Sequence, residues 1–230
     1  MRFPRSISAA VISAVAAGSM LMAGAPVASA GGAGEAVLYV VHGIPGVKVD
    51  VCIAGLGEVE SGMKYATRFR EELVPSTAKI RIRAASKGQC KGALLATASV
   101  PLADGDNVTA VARLEAGDPT ITAFDNDLSS TPGGEFRITA AHMMKGGAVD
   151  VYVGDEIAIP ALARGDQSGF TRAVGLFTIF TTRAGKTTPI LGPRTVTSAT
   201  EGSAYTFVMV GTKVENNAFV VFKQPVVAPA

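Results

Sequence analysis

The chain has 230 residues, 48% of them hydrophobic, with 21 basic against 19 acidic side chains and a formal charge of +2. That length fills one large or two ordinary domains, and near-neutrality without a long basic run gives nucleic-acid binding no footing. Two cysteines, two histidines and no tryptophan leave little from which to build metal centres or flat aromatic sugar platforms.

The first thirty residues read as a secretory signal peptide. Arg2 and Arg5 precede an apolar run over about residues 7–25, and Ala28-Ser29-Ala30 fits the small-x-small cleavage pattern. Cleavage after Ala30 is expected, giving a secreted or cell-envelope-associated chain with 19 basic and 19 acidic side chains. The small-residue site argues against an uncleaved anchor. No further apolar stretch nears the roughly 18 residues that span a membrane, and residues 224–230 carry no anchoring tail. In an oxidising exterior Cys52 and Cys90 are expected to form a disulfide. It would close a loop of about 39 residues, a constraint of roughly 4 kcal/mol in the chain-entropy treatment. Two thiols without neighbouring ligands do not make a metal site.

After a flexible leader at 31–34, strand signals fall at 36–42, 48–54 and 63–69, with Gly43-Ile44-Pro45-Gly46 supplying turn chemistry between the first two. Residues 79–84, Lys-Ile-Arg-Ile-Arg-Ala, alternate with a period of two, so one face is buried and one wet. The basic outer row reads as a charged guard on a sheet edge rather than as a polyanion site. Strands at 93–100 and 108–114 flank a turn at 103–107, and 119–124 closes the unit. Asn107-Val108-Thr109 fits a glycosylation sequon. No window has a helical period, and turn clusters recur every 8–14 residues, which favours a β-sandwich. The polar, breaker-rich run 125–134 is an interdomain connector. Its Asp125, Asn126 and Asp127 lack the spacing and terminal glutamate of a calcium loop.

The program then restarts. His42, seven residues and Asp50 in Val49-Asp50-Val51 recur 100 positions on as His142, seven residues and Asp150 in Val149-Asp150-Val151. Strands at 136–142, 149–153, 176–182, 205–210 and 217–222 match the first set at offsets of 96–100 residues. Such repetition means two copies of one unit: residues 35–127 and 134–224, joined by 128–133. Cys52 maps to Tyr152, so only the first unit holds the disulfide. The strand 176–180, Leu-Phe-Thr-Ile-Phe, is apolar on both faces; one face is expected in the second core and the other against the first unit or a partner.

Val40, His42, Pro45, Val49, Asp50, Val51 and Gly55 resemble the pattern of an exported bacterial family, domain of unknown function 4397. His142, Val149, Asp150, Val151, Tyr152 and Gly154 repeat it without the proline, having Met144 and Lys145 there. Phe124-Asp125-Asn126-Asp127 resembles the join in two-copy actinobacterial members. The resemblance covers nearly all of the mature chain. It implies an all-β sandwich at or outside the cell envelope and brings no activity, substrate or cofactor.

The two His–Asp pairs are the candidate chemistry. If each pair sits on antiparallel strands joined by a short turn, the side chains meet across the hairpin. There a carboxylate would orient a base or, more simply, brace the turn. Catalysis needs a nucleophile; Gly-x-Ser-x-Gly is absent and both cysteines are expected to be oxidised. One His and one Asp per unit are too few for a stable metal site. The tyrosines are only Tyr39, Tyr65, Tyr152 and Tyr205, mostly in strand segments where packing is their use. No glycine-rich loop stands between a strand and a helix, so nucleotide binding has no support. The expected fold is all-β, two tandem antiparallel Ig-like or transthyretin-like sandwiches. The expected function is non-enzymatic and without cofactor: adhesion, scaffolding or interaction with an envelope component or another protein. The alternative is a small-ligand or glycan site at the interdomain cleft.

Overall fold

The computed structural model describes residues 34–87 and 90–224. The expected signal peptide at 1–30, with its cleavage site at Ala30, and the tail at 225–230 lie outside the described residues. The first half forms β1 (Ala36–His42), β2 (Val49–Ile53), β3 (Gly57–Met63), β4 (Arg68–Leu73), β5 (Ser76–Ala84), β6 (Leu94–Leu102), β7 (Asn107–Glu115) and β8 (Asp118–Asp125). The second forms β9 (Glu135–His142), β10 (Val149–Val153), β11 (Glu156–Leu162), β12 (Gln167–Ala173), β13 (Gly175–Arg183), β14 (Pro189–Ala199), β15 (Ala204–Val210) and β16 (Ala218–Gln224). Among the described residues the sole helical turn is a 3-10 segment, Val214–Asn216.

Each half is a sandwich of two four-stranded sheets. The first pairs β4-β1-β7-β8 with β3-β2-β5-β6; the second pairs β12-β9-β15-β16 with β11-β10-β13-β14. Adding eight to every strand of the first half gives the second, so the repeat in sequence is a repeat in topology. Each sandwich contains one parallel pair, β1 with β7 and β9 with β15, among otherwise antiparallel neighbours. This order departs from the ABED/CFG arrangement of immunoglobulin domains.

The four sheets stack as layers, and burial explains why. All seven residues of β1 are buried, because Ala36, Leu38 and Val40 enter the first core while Val37, Tyr39 and Val41 enter a separate apolar seam. That seam also takes Val111 from the first half, and Ala141, Met143, Val208, Val210, Val220 and Phe222 from the second. A strand buried on both faces reads as an unbroken apolar run, which is the character of Ala-Val-Leu-Tyr-Val-Val-His. Tyr39 stacks on Phe222 at 4.6 Å, and the Arg68 guanidinium lies 5.2 Å from the Phe222 ring. Gly43 permits the closest approach, since a Cβ there would sit 2.8 Å from Val210 Cγ1. At the rim Arg164 pairs with Glu115 at 2.7 Å, and Gln167 Nε2 donates to the Asp125 carbonyl at 2.8 Å.

Several expectations need correction. β13 lies in an outer sheet, so its second face does not meet the first unit; the seam uses the sheet of β9, β12, β15 and β16 instead. Lys79, Arg81 and Arg83 do point away from buried Ala78, Ile80 and Ile82, but β5 is an interior strand, so they coat a face rather than guard an edge. The expected strand 63–69 straddles the connection between β3 and β4. Asn107 of the sequon is 6% exposed and accepts a hydrogen bond from Asn126, which closes it to modification in the folded chain.

Candidate functional site

The histidines and aspartates of the repeated motif do not form pairs. β1 and β2 lie in opposite sheets, as do β9 and β10, so the chain between them arches across the sandwich and no hairpin exists for them to meet over. His42 Nε2 reaches the Val47 carbonyl at 2.8 Å and His142 Nε2 the Gly147 carbonyl at 3.0 Å. A carbonyl accepts only, so Nε2 carries the proton in both rings. Each imidazole thus ties the arch back to the strand that enters it. Burial pushes both below the ordinary histidine value of 6.5, keeping them neutral. His42 Nδ1 also accepts from the Ile44 amide at 3.4 Å; His142 Nδ1 has no partner.

The aspartates do different work. Asp50 Oδ1 accepts from the Gly62 amide at 2.9 Å and Oδ2 from the Ser86 amide at 3.2 Å. Asp150 repeats this with Ala161 at 2.7 Å and Gly185 at 2.8 Å. The β2–β3 and β10–β11 ladders both slip register opposite the aspartate, forming a bulge. Gly62 and Ala161 occupy it with positive φ, 59° and 48°. The carboxylate therefore holds a left-handed bulge residue on one side and the loop after β5 or β13 on the other. Val-Asp-Val follows directly: both valines face the core, and the aspartate faces the bulge. Asp50 and Asp150 are 1% and 5% exposed, and no nucleophile takes part in this arrangement.

Cys52 and Cys90 are disulfide-bonded, linking the outer side of β2 to the segment after β5. At the matching place in the second unit Tyr152 stacks on Phe180, ring centroids 4.7 Å apart and planes 10° from parallel. Ile157 is the ladder partner of Tyr152 on its other side and is 48% exposed; Leu176, two positions before Thr178 on β13, is 69% exposed. Both units thus carry an outer sheet of the same design with opposite chemistry, basic and cross-linked in the first and aromatic in the second.

Two of the cavities among the described residues bear on these sites. One of about 340 Å³ lies beside the connector, lined by Asp106, Asn107, Asp125, Asn126 and Asp127. The other, about 510 Å³, opens at the arch end of the second unit over His142. One wall of it is the β15–β16 connection. In the first unit β7 and β8 stay paired to Glu115 and Asp118, whereas β15 and β16 part after Val210 and Ala218. The intervening residues form the 3-10 turn, with the Asn216 side chain accepting from the Thr212 and Lys213 amides at 2.9 and 2.8 Å. Gly211 begins it at φ 140°, where a Cβ would fall 2.3 Å from Asn217 Oδ1. The Tyr65 hydroxyl of the first unit donates to the Asn216 carbonyl, and burial raises that phenol to about 12.

The sequence shows the repeated motif, the disulfide and the two-sided apolar strand that carries Phe180, but not the stacking of Phe180 on Tyr152, this cavity or the apolar seam. The seam was readable in the strands apolar on both faces; nothing local in sequence marks the cavity. Among the described residues no three His, Cys, Asp or Glu side chains gather to hold a metal, and no helix is long and apolar enough to cross a membrane. A family model described as Domain of unknown function (DUF4397) matches residues 36–152. No curated protein matches the chain.

Proposed function

The chain belongs to the DUF4397 family, and from that premise we propose that it works outside the cytoplasm as a non-enzymatic interaction module, adhesive or scaffolding, with its signal peptide removed after Ala30. The observation carrying this reading is the outer sheet of the second unit, where Tyr152 and Phe180 form a flat apolar stack beside exposed Ile157 and Leu176. Large apolar groups gathered on one open sheet face support a contact surface. The engaged, buried motif aspartates support contact over catalysis. Crosslinking on intact cells tests it. Wild-type chain should capture a partner that Tyr152→Ser/Phe180→Ser, folded by circular dichroism, does not; equal capture by both would overturn the reading.

A second reading, a small-ligand or glycan site, moves from the interdomain cleft to the cavity lined by the first unit and the connector, where buried Asn107 Nδ2 has no hydrogen-bond partner. Amide shifts of residues 105–107 and 125–128 on adding monosaccharides would support it, and their absence would remove it.

A further inference from the structure

We propose that the arch end of the second unit binds a phosphoryl group, as a small phosphorylated molecule or the end of a phosphate-bearing polymer. The cavity is about 510 Å³, within the usual range for ligand sites. Three separate parts of the chain bring cations to it: Lys145 from the β9–β10 arch, Arg183 at the end of β13 with Lys186 in the turn after it, and Lys213 from the β15–β16 turn. No aspartate or glutamate lines it. The neighbouring Glu215 stands 3.9 Å from Lys213, with both side chains about 70% exposed, and such a pair contributes little in water. Asp150 is nearby in the chain but is committed to the Ala161 and Gly185 amides.

Four positive groups around one hollow make a local field that draws in anions, and their number favours a multiply charged one. A carboxylate brings one charge; a phosphate monoester brings about −1.5 to −2 at pH 7 and three acceptor oxygens, matching dispersed lysine donors and an arginine fork. The neutral His142 at the floor adds no charge. Met144, Val149, Ile190 and Val214 also line the space, which suits a short carbon body behind the phosphate. The first unit argues the same way by contrast: Pro45 stands where Lys145 does, and the β7–β8 hairpin closes tightly instead of opening into a wall. This site is at the loop end of the sandwich, apart from the Tyr152–Phe180 face, and stands or falls independently of it.

Amide NMR titration of the full mature chain tests the proposal, with glycerol 3-phosphate as the free ligand and a short poly(glycerol phosphate) as the polymer. Saturable shifts at residues 145–148, 184–186 and 212–214 are expected with at least one of the two, the tighter ligand naming the source. Lys145→Ala/Lys213→Ala should weaken binding about tenfold or more, some 1.4 kcal/mol, while Lys48→Ala/Lys87→Ala in the first unit should leave it unchanged. No saturable shift with either ligand overturns the proposal. So does equal weakening by the two double variants, which would mean diffuse surface charge.

Discussion

Replacing Asp150 by alanine tests whether the motif is a brace. The carboxylate accepts two backbone amides at 2.7 and 2.8 Å while 5% exposed. Hydrogen bonds to a charged group contribute about 1.5–3 kcal/mol each, and an amide left buried without a partner costs a similar amount. Asp150→Ala should therefore destabilise by about 3–5 kcal/mol. For a chain of this size that lowers the melting temperature by roughly 6–20 °C. Asp150→Asn keeps one acceptor and should lose about half as much. Asp50→Ala should behave alike, since its two bonds, at 2.9 and 3.2 Å, have the same design. Urea denaturation followed by far-UV circular dichroism gives both midpoint and slope. A loss below about 1 kcal/mol in either unit, with the slope unchanged, would refute the bracing argument.

Ala161 holds φ 48° in the bulge where the first unit has Gly62. Left-handed backbone costs an L-residue about 1–2 kcal/mol, against about 0.4–1 kcal/mol of extra unfolded-state entropy for glycine. Ala161→Gly should therefore stabilise by roughly 0.5–1 kcal/mol, and a destabilised variant in the same urea assay contradicts this. Phe222→Ala removes a seam ring that is 3% exposed and should cost about 3–5 kcal/mol. Calorimetry should then show two separated transitions in place of one, and a single unshifted transition argues against a cooperative seam. Burial holds His42 and His142 below 6.5, so the unfolded chain binds protons first as pH falls and stability declines from pH 7 to pH 5. His42→Gln/His142→Gln should flatten that decline; an unchanged slope of denaturation midpoint against pH counts against the assignment.

The strands legible in sequence were those whose side chains answer to a core. Ala36–His42 is legible because burial on both faces makes it almost continuously apolar, and Val149–Val153 because its valines alternate toward the core. The strands not legible are β3, β4, β11, β12 and β14, all at sheet edges, although the edge strands β6, β8 and β16 are legible. An edge strand pairs on one side and faces water along the other, so it tolerates Arg68, Glu71 and Glu72 in β4 or Pro160 in β11 and carries no clean alternation. The motif was legible as a pattern but not as geometry. His42 and Asp50 are eight residues apart in both a hairpin and an arch, and only the sheet assignment separates a contact from two independent anchors. The phosphoryl cavity lay further out of reach, because it needs three loops from distant parts of the chain to converge.

Both halves contribute equivalent positions to the seam: Val41 with Ala141, Val111 with Val208, Phe124 with Phe222. A patch that faces its own counterpart is the hallmark of a two-fold homodimer, here enclosed in a single polypeptide. The tether keeps the halves at a millimolar-scale local concentration, so their association does not depend on how dilute the surroundings become. With assembly secured by covalent linkage, the two outward surfaces were free to specialise, one basic and cross-linked, the other aromatic.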